Sequence, residues 1–265
     1  MHGVAVAASD LCLPSQGGEL VGSAGVLGGG RRRYGGREVL AAIIFVATTG
    51  CTWQQLPPVF GPSGPTAHRR FTVECRAGVG QAAPARAGRA GCARRAGLVA
   101  MRDRLGQRPG RQRGELTGPN PVDRGKRGSK IHLLTDRAGL PLSVGISAAN
   151  THDKLALQPL VRGIAPVRSR RGPRRRGPAK LHGDKGYDYA DLRRWLRSRG
   201  ITPRIARRGI ESSDRRGRYR WVVERTVSWL SGCRRLHRRY ERTPERFLAF
   251  VGIAATLICH RQLAK

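Results

Sequence analysis

Residues 130–150, KIHLLTDRAGLPLSVGISAAN, decide the fold. Ile131 and Leu133 alternate with polar neighbours on one side of Asp-Arg-Ala-Gly, and Leu142, Val144 and Ile146 alternate on the other. Period-two apolar runs around a tight turn predict a β-hairpin. Downstream the period changes repeatedly. A short helix over Asp153 to Val161 leads through the Arg-rich loop Arg168 to Arg176 into a compact strand, Lys180 to Gly183, that ends at Asp184. A helix from Tyr189 to Arg199, capped by Gly200, follows. Next come a strand over Ile201 to Ala206 and an amphipathic helix over Arg220 to Tyr240, with Val223, Val227 and Leu230 at helical spacing. An apolar helix, Phe247 to Cys259, closes the chain. A hairpin followed by strand–helix alternation predicts an α/β domain with a mixed sheet flanked by helices.

Upstream the texture is different. Gln81 to Arg113 holds nine Arg, eight Ala and five Gly in 33 residues and no Ile, Phe, Tyr or Trp, a composition expected to be poorly ordered and unable to build a core strand. Before it, Val39, Leu40, Ile43, Ile44 and Val46 mark a helix that stops near Gly50. A short helix at Trp53 to Leu56, a Pro/Gly turn and a helix from Thr66 to Glu74 complete a three-helix unit. The last of these carries His68, Arg69 and Arg70, the kind of basic helix that enters a DNA major groove; an ordinary bundle with a polar face has equal standing on these residues. The Gly-rich start, with GSAGVLGGGRRR, is expected to be a disordered arm. The expected organisation is therefore arm 1–35, helical DNA-binding unit 36–80, aberrant linker 81–113 and α/β domain 114–265.

With 51 Lys+Arg against 17 Asp+Glu the formal charge is +34, which points to a polyanionic partner, nucleic acid before a membrane surface. The longest apolar run, Val39 to Thr48, is about half the roughly 20 residues that span a bilayer, and no secretory pattern opens the chain. A cytoplasmic, nucleoid-associated protein is expected. The six cysteines show no metal or disulfide spacing and are read as buried or incidental thiols.

Phosphodiester cleavage depends on charge neutralisation, which two divalent ions about 4 Å apart supply when carboxylates hold them. Asp184 stands at the carboxyl end of a strand, where α/β sites gather. Glu224 lies one helical turn after Arg220, where an exposed salt bridge is the plain reading. Asp136 reads as a turn residue, Asp153 as the start of a helix, and Asp188 and Asp191 as first-turn acids. His132, His152 and His182 have no metal spacing and read as core or loop residues.

HGDKGYDY followed by RRWLRSRG, then RYRWVVERTVSWL and RRLHRRYER, resembles the DDE transposases of bacterial insertion sequences, the IS-four/IS-five group, as do ELTGPNPVDRGKRGSKIHLLTDRAGLPLSVGISAANTHD and FLAFVGIAATLIC. The resemblance covers roughly the last 150 residues. It implies an RNase H-like fold, Mg²⁺ (or Mn²⁺) held by two Asp and one Glu, action on terminal inverted repeats and target DNA, and self-association on DNA. Asp184 and Glu224 match the second Asp and the Glu, and Arg220 matches the family's Arg four residues before that Glu; its Tyr is replaced by Gly217. The first Asp is missing. Asp103 lies near its place, but Met-Arg-Asp-Arg-Leu-Gly puts polar groups on both faces of any strand. Codons can be chosen for Met101 to Gln112 whose reading one base later gives Cys-Ala-Ile-Asp-Ser-Val-Ser-Val-Arg-Ala-Val, a strand of the expected kind. A pair of compensating frameshifts around Gln81 to Arg113 accounts for both the composition and the lost acid. Arg69, Arg70, Arg220, Arg234, Arg235, Arg238 and Arg239, with Arg168 to Arg176, Arg207 and Arg208, are expected to neutralise phosphates. The expected function is that of a transposase with impaired cleavage; the alternative is a non-catalytic DNA-binding remnant.

Overall fold

A computed structural model of the chain describes residues 5–6, 34–76, 96–99, 114–121, 124–165, 177–207, 209 and 217–264. Asp103, Arg168 to Arg176 and Arg208 lie outside the described residues.

The hairpin forms as its alternation dictates. Strands β4 (Arg127–Asp136) and β5 (Pro141–Ala148) pair antiparallel from Ser129↔Ala148 to Thr135↔Pro141, with an irregularity between Leu134 and Thr135. Gly139 takes φ 82° at the turn, and its N–H donates to the Asp136 carbonyl at 3.1 Å. The Asp136 side chain accepts from the Leu140 N–H at 2.8 Å, the turn role expected of it. On one edge β3 (Gly118–Pro119) pairs with β4, and on the other edge β1 (Ala5–Val6) pairs with β5 through Ala5↔Ile146 and Val6↔Gly145. The expected disordered arm thus includes two residues held by the sheet.

A second departure concerns β2 (Ala96–Val99), which lies inside the stretch expected to be unable to form a strand. It pairs antiparallel with β4 from Ala96↔Asp136 to Val99↔Leu133 and lies alongside β6 (Lys180–Gly183), which pairs in parallel with β7 (Thr202–Ile205). Laddering needs only backbone N–H and C=O groups, and Ala-Gly-Leu-Val is short and free of charge. A composition taken over 33 residues hides that run. The strands form two sheets, one in the order β1, β5, β4, β2 with β3 beside β4 and all antiparallel, the other the parallel pair β6 and β7, where a single mixed sheet was expected.

Helices cover both faces. On one side α3 (Lys154–Arg162) and α4 (Ala190–Ser198) bury Leu157, Leu160, Leu192 and Leu196 against Leu134, Leu142, Leu181 and Ile205. On the other, α6 (Pro244–Leu263) packs Phe247, Phe250, Val251 and Ile258 against Ile131, Leu133, Val144 and Ile146. The same core takes in Val39, Ile43 and Val46 of α1 (Gly36–Thr49) and Phe71 and Cys75 of α2 (Gly64–Arg76). The amino-terminal helices therefore share a core with the α/β domain. Gly50, at φ 72°, closes α1, and Trp53, in a 3-10 turn, stacks near Phe71 and Phe250.

The helix expected over Arg220 to Tyr240 is shorter. Helix α5 (Gly217–Ser231) stops before Gly232, and His237 Nε2 bonds the Ser231 carbonyl at 2.7 Å, satisfying one terminal acceptor. A 3-10 turn, Arg234–His237, follows. The four described cysteines are free thiols, three of them buried, and burial pushes the Cys75 thiol up to about 12. No helix among the described residues is long and apolar enough to cross a membrane.

Arg235 and Glu241 form a buried ion pair at 2.8 Å between the 3-10 turn and the start of α6. Removing the acid strands a buried guanidinium. Glu241→Ala is expected to lower unfolding free energy by about 3–5 kcal/mol, measured from urea midpoints.

Candidate active site

Asp184 ends β6 with extended backbone, its carboxylate accepting from the Lys185 N–H and its side chain exposed. The residues around it are tied to the end of the sheet where β5 finishes. Lys130 Nζ, nearly buried, donates to the Thr151 carbonyl at 2.8 Å and to Asp153 at 3.0 Å. Asp153 occupies the position before α3 without a side-chain capping bond, so it serves as the counter-charge of Lys130 and not as a cap. His152 bonds the Tyr189 hydroxyl at 2.9 Å, Lys154 pairs with Asp191 at 2.9 Å, and Asp188 binds Arg193 at 2.7 Å. Tyr187 is buried at the centre of this group; burial pushes its phenol well up, and the Asp153 and Asp184 carboxylates push it further.

Glu224 is exposed on α5, next to the residues that dock that helix on the other end of the hairpin. Arg225 Nη2 donates to the Ala138 carbonyl at 2.6 Å and Thr226 Oγ1 to the Gly139 carbonyl at 2.7 Å. A side chain at Gly139 would meet Thr226 Oγ1 at 2.8 Å, so this close approach requires glycine. Asp184 and Glu224 lie on separate elements, the end of β6 and the middle of α5. Among the described residues no group of three or more His, Cys, Asp or Glu is placed to hold a metal ion, and Asp103 lies outside those residues.

The arginines separate by burial. Arg69 and Arg234 are exposed, Arg70 is half-buried with Glu74 at 4.0 Å, and Arg238 is half-buried beside the Tyr240 ring. Arg220 lies in the first turn of α5. Arg235 and Arg239 were expected at a DNA surface, and the structure corrects this. Both are buried, and their guanidiniums are taken up by the protein: Arg235 by Glu241 and the Cys51 carbonyl, Arg239 by the Glu115, Leu116 and Glu241 carbonyls and Ser129 Oγ. Arginine runs do not reveal which members point inward, and here 235 and 239 are four residues apart and share an inward side. Sequence reading also missed the buried ion pair of Lys130 and the burial of Tyr187 in the α3/α4 core, neither of which their chain neighbours reveal.

Residues 106–259 match the family described as "Transposase DDE domain", more than half of the chain. The chain belongs to the DDE transposases. Residues 19–83 match a second family, "Putative transposase of IS4/5 family". Over 149 residues the chain is 45% identical to the "Putative transposase for insertion sequence element IS402" of Burkholderia cepacia, covering 56% of this chain and 71% of that protein. Over 140 residues it is 27% identical to the "Transposase for insertion sequence element IS1106" of Neisseria meningitidis serogroup B, covering 49% of this chain and 43% of that protein. Family membership carries nuclease and strand-transferase chemistry on DNA, with divalent metal use in general.

His132 is buried in the same polar layer, its Nε2 on Ser147 Oγ at 2.7 Å, and burial lowers its pKa from 6.5 to about 4. The folded transposase therefore keeps His132 neutral where the unfolded chain takes up a proton. This contribution is fully present above pH 6.5 and is lost as pH falls toward 4, a drop of about 3 kcal/mol. Urea unfolding at several pH values should show that loss, and His132→Gln should remove it.

Proposed function

We propose that this chain is an insertion-sequence transposase that retains DNA binding while its metal-dependent end cleavage and strand transfer are severely impaired. The observation that carries the reading is the sequence around Asp103, which does not read as the strand that bears the family's first Asp, while Asp184 is an exposed carboxylate at a strand end inside the matched transposase region. Two carboxylates without a third bind a divalent ion weakly, whereas in-line phosphoryl chemistry draws on clustered charge. Asp184 and Glu224 are the ligands for Mg²⁺ or Mn²⁺ in this reading, and the third ligand is lost with the first Asp; Asp103 is a poor substitute. The two family matches support an altered middle segment, since they stop at 83 and resume at 106, on either side of most of the Arg/Ala/Gly-rich stretch. A compensated frameshift there is the origin we favour.

The DNA partners in this reading are terminal inverted repeats and a target duplex, bound through exposed arginines such as Arg69 and Arg234, with self-association on DNA and a cytoplasmic, nucleoid-associated location. A purely non-catalytic DNA-binding remnant is the second reading, favoured by the same loss of the first Asp from the sequence. Mn²⁺ calorimetry on this chain, beside a version with Gln81 to Arg113 rebuilt from the shifted frame, separates the possibilities. Tight binding by the rebuilt protein alone, lost again in its Asp184→Ala variant, is the expected result. A gel shift of an inverted-repeat duplex should persist in the present chain without nicking. Robust Mg²⁺-dependent nicking by the present chain would overturn the impairment, and a rebuilt protein that neither binds metal nor nicks would favour the remnant.

A further inference from the structure

Strands β6 and β7 have one face in the α3/α4 core and one turned away from it. Leu181 and Ile205 point into that core. By strand alternation the opposite face carries Lys180 beside Thr202 and His182 beside Arg204. Lys180, Thr202 and Arg204 are exposed and His182 is half-exposed. Asp184 continues the extended backbone past β6, φ −72° and ψ 165°, so its side chain falls on the face of Lys180 and His182. Lys180 and Arg204 thus bring two exposed cationic groups to this surface, with the His182 imidazole between them. Cations on the neighbouring elements are matched differently: Arg193 has Asp188 and Lys154 has Asp191.

We propose that Lys180, His182 and Arg204 form a docking track for the sugar-phosphate backbone of duplex DNA, laid along β6 and β7 so that a bound strand runs to Asp184. The inference rests on the reading that this chain acts on DNA and names the surface that does so beside the candidate acid. An extended anion is the fitting occupant because Lys180 and Arg204 lie on a strand pair, spaced along it and open to solvent. Backbone contact also suits Lys and Arg, whose donors reach phosphate oxygens without reading base edges. The strip leads along β6 to the Asp184 carboxylate.

The test is anisotropy of a labelled duplex titrated with the full chain at several salt concentrations. Each lost phosphate contact removes about 0.9 from the slope of log affinity against log salt. Lys180→Gln with Arg204→Gln should reduce the slope by about 2 and weaken binding alike for inverted-repeat and unrelated duplexes. Both residues are exposed, so the urea midpoint should not move. A parent that binds duplex while the double variant keeps its slope overturns the track and leaves the DNA-acting reading intact. A parent that binds no duplex at all overturns both. Tighter binding and a steeper slope with single-stranded RNA would reassign the face.

Discussion

Two buried arginines hold this protein together. Arg239 is 5% exposed, and its guanidinium donates to carbonyls of Glu115, Leu116 and Glu241 and to Ser129 Oγ. It joins the chain's entry into the α/β domain, the start of β4 and the approach to α6. Arg235, 6% exposed, joins the Cys51 carbonyl after α1 to Glu241. Burying a guanidinium costs several kcal/mol unless its donors are met, and here the fork geometry meets several acceptors from different segments at once. Lysine in either place would offer one point charge to partners spread around a plane. The arrangement explains why the amino-terminal helices and the sheet share one core: Arg235 fastens the loop after α1, and Arg239 lies over Phe247 in the helix against which α1 and α2 pack.

This reassigns part of the chain's charge. A formal +34 suggests a surface that is basic throughout, but some of the arginines are internal fasteners and others are matched by acids on the same face, as Arg193 is by Asp188. The positive field available to a polyanion is therefore concentrated where cations are exposed and gathered, not spread evenly over the sequence's Arg-rich words. Arg234 and Arg235 are adjacent in the chain, one exposed and one buried.

The elements that were legible were those whose side chains alternate or recur strongly. The β4–β5 hairpin followed from Ile131, Leu133, Val144 and Ile146, and α4 from Leu192 and Leu196 closed by Gly200 at φ 69°. Elements defined by backbone partners were not. Ala96–Val99 has no pattern of its own and is a strand because β4 offers it a ladder, and Ala5–Val6 likewise completes an edge. The end of α5 at Ser231 depends on Gly232 and on His237 reaching back to a carbonyl, which spacing alone does not reveal. At the site, Asp184 was legible from its place after a strand. The Lys130–Asp153 pair that steadies its surroundings was not, because a lysine at the start of a strand reads as an exposed position until a partner 23 residues away comes into view.

The position of β2 shows how a segment without a side-chain pattern keeps a place in the architecture. β2 pairs with β4 and lies alongside β6, so it stands where the two sheets meet. Backbone hydrogen bonding is indifferent to side-chain identity, and four uncharged residues are enough to fill that place. A metal site depends on side chains: it needs carboxylates aimed at one point. A change of residues through a strand can therefore leave its ladder in place while altering a site, whereas α5 is held by its side chains, Thr226 and Arg225 anchoring it at the hairpin turn.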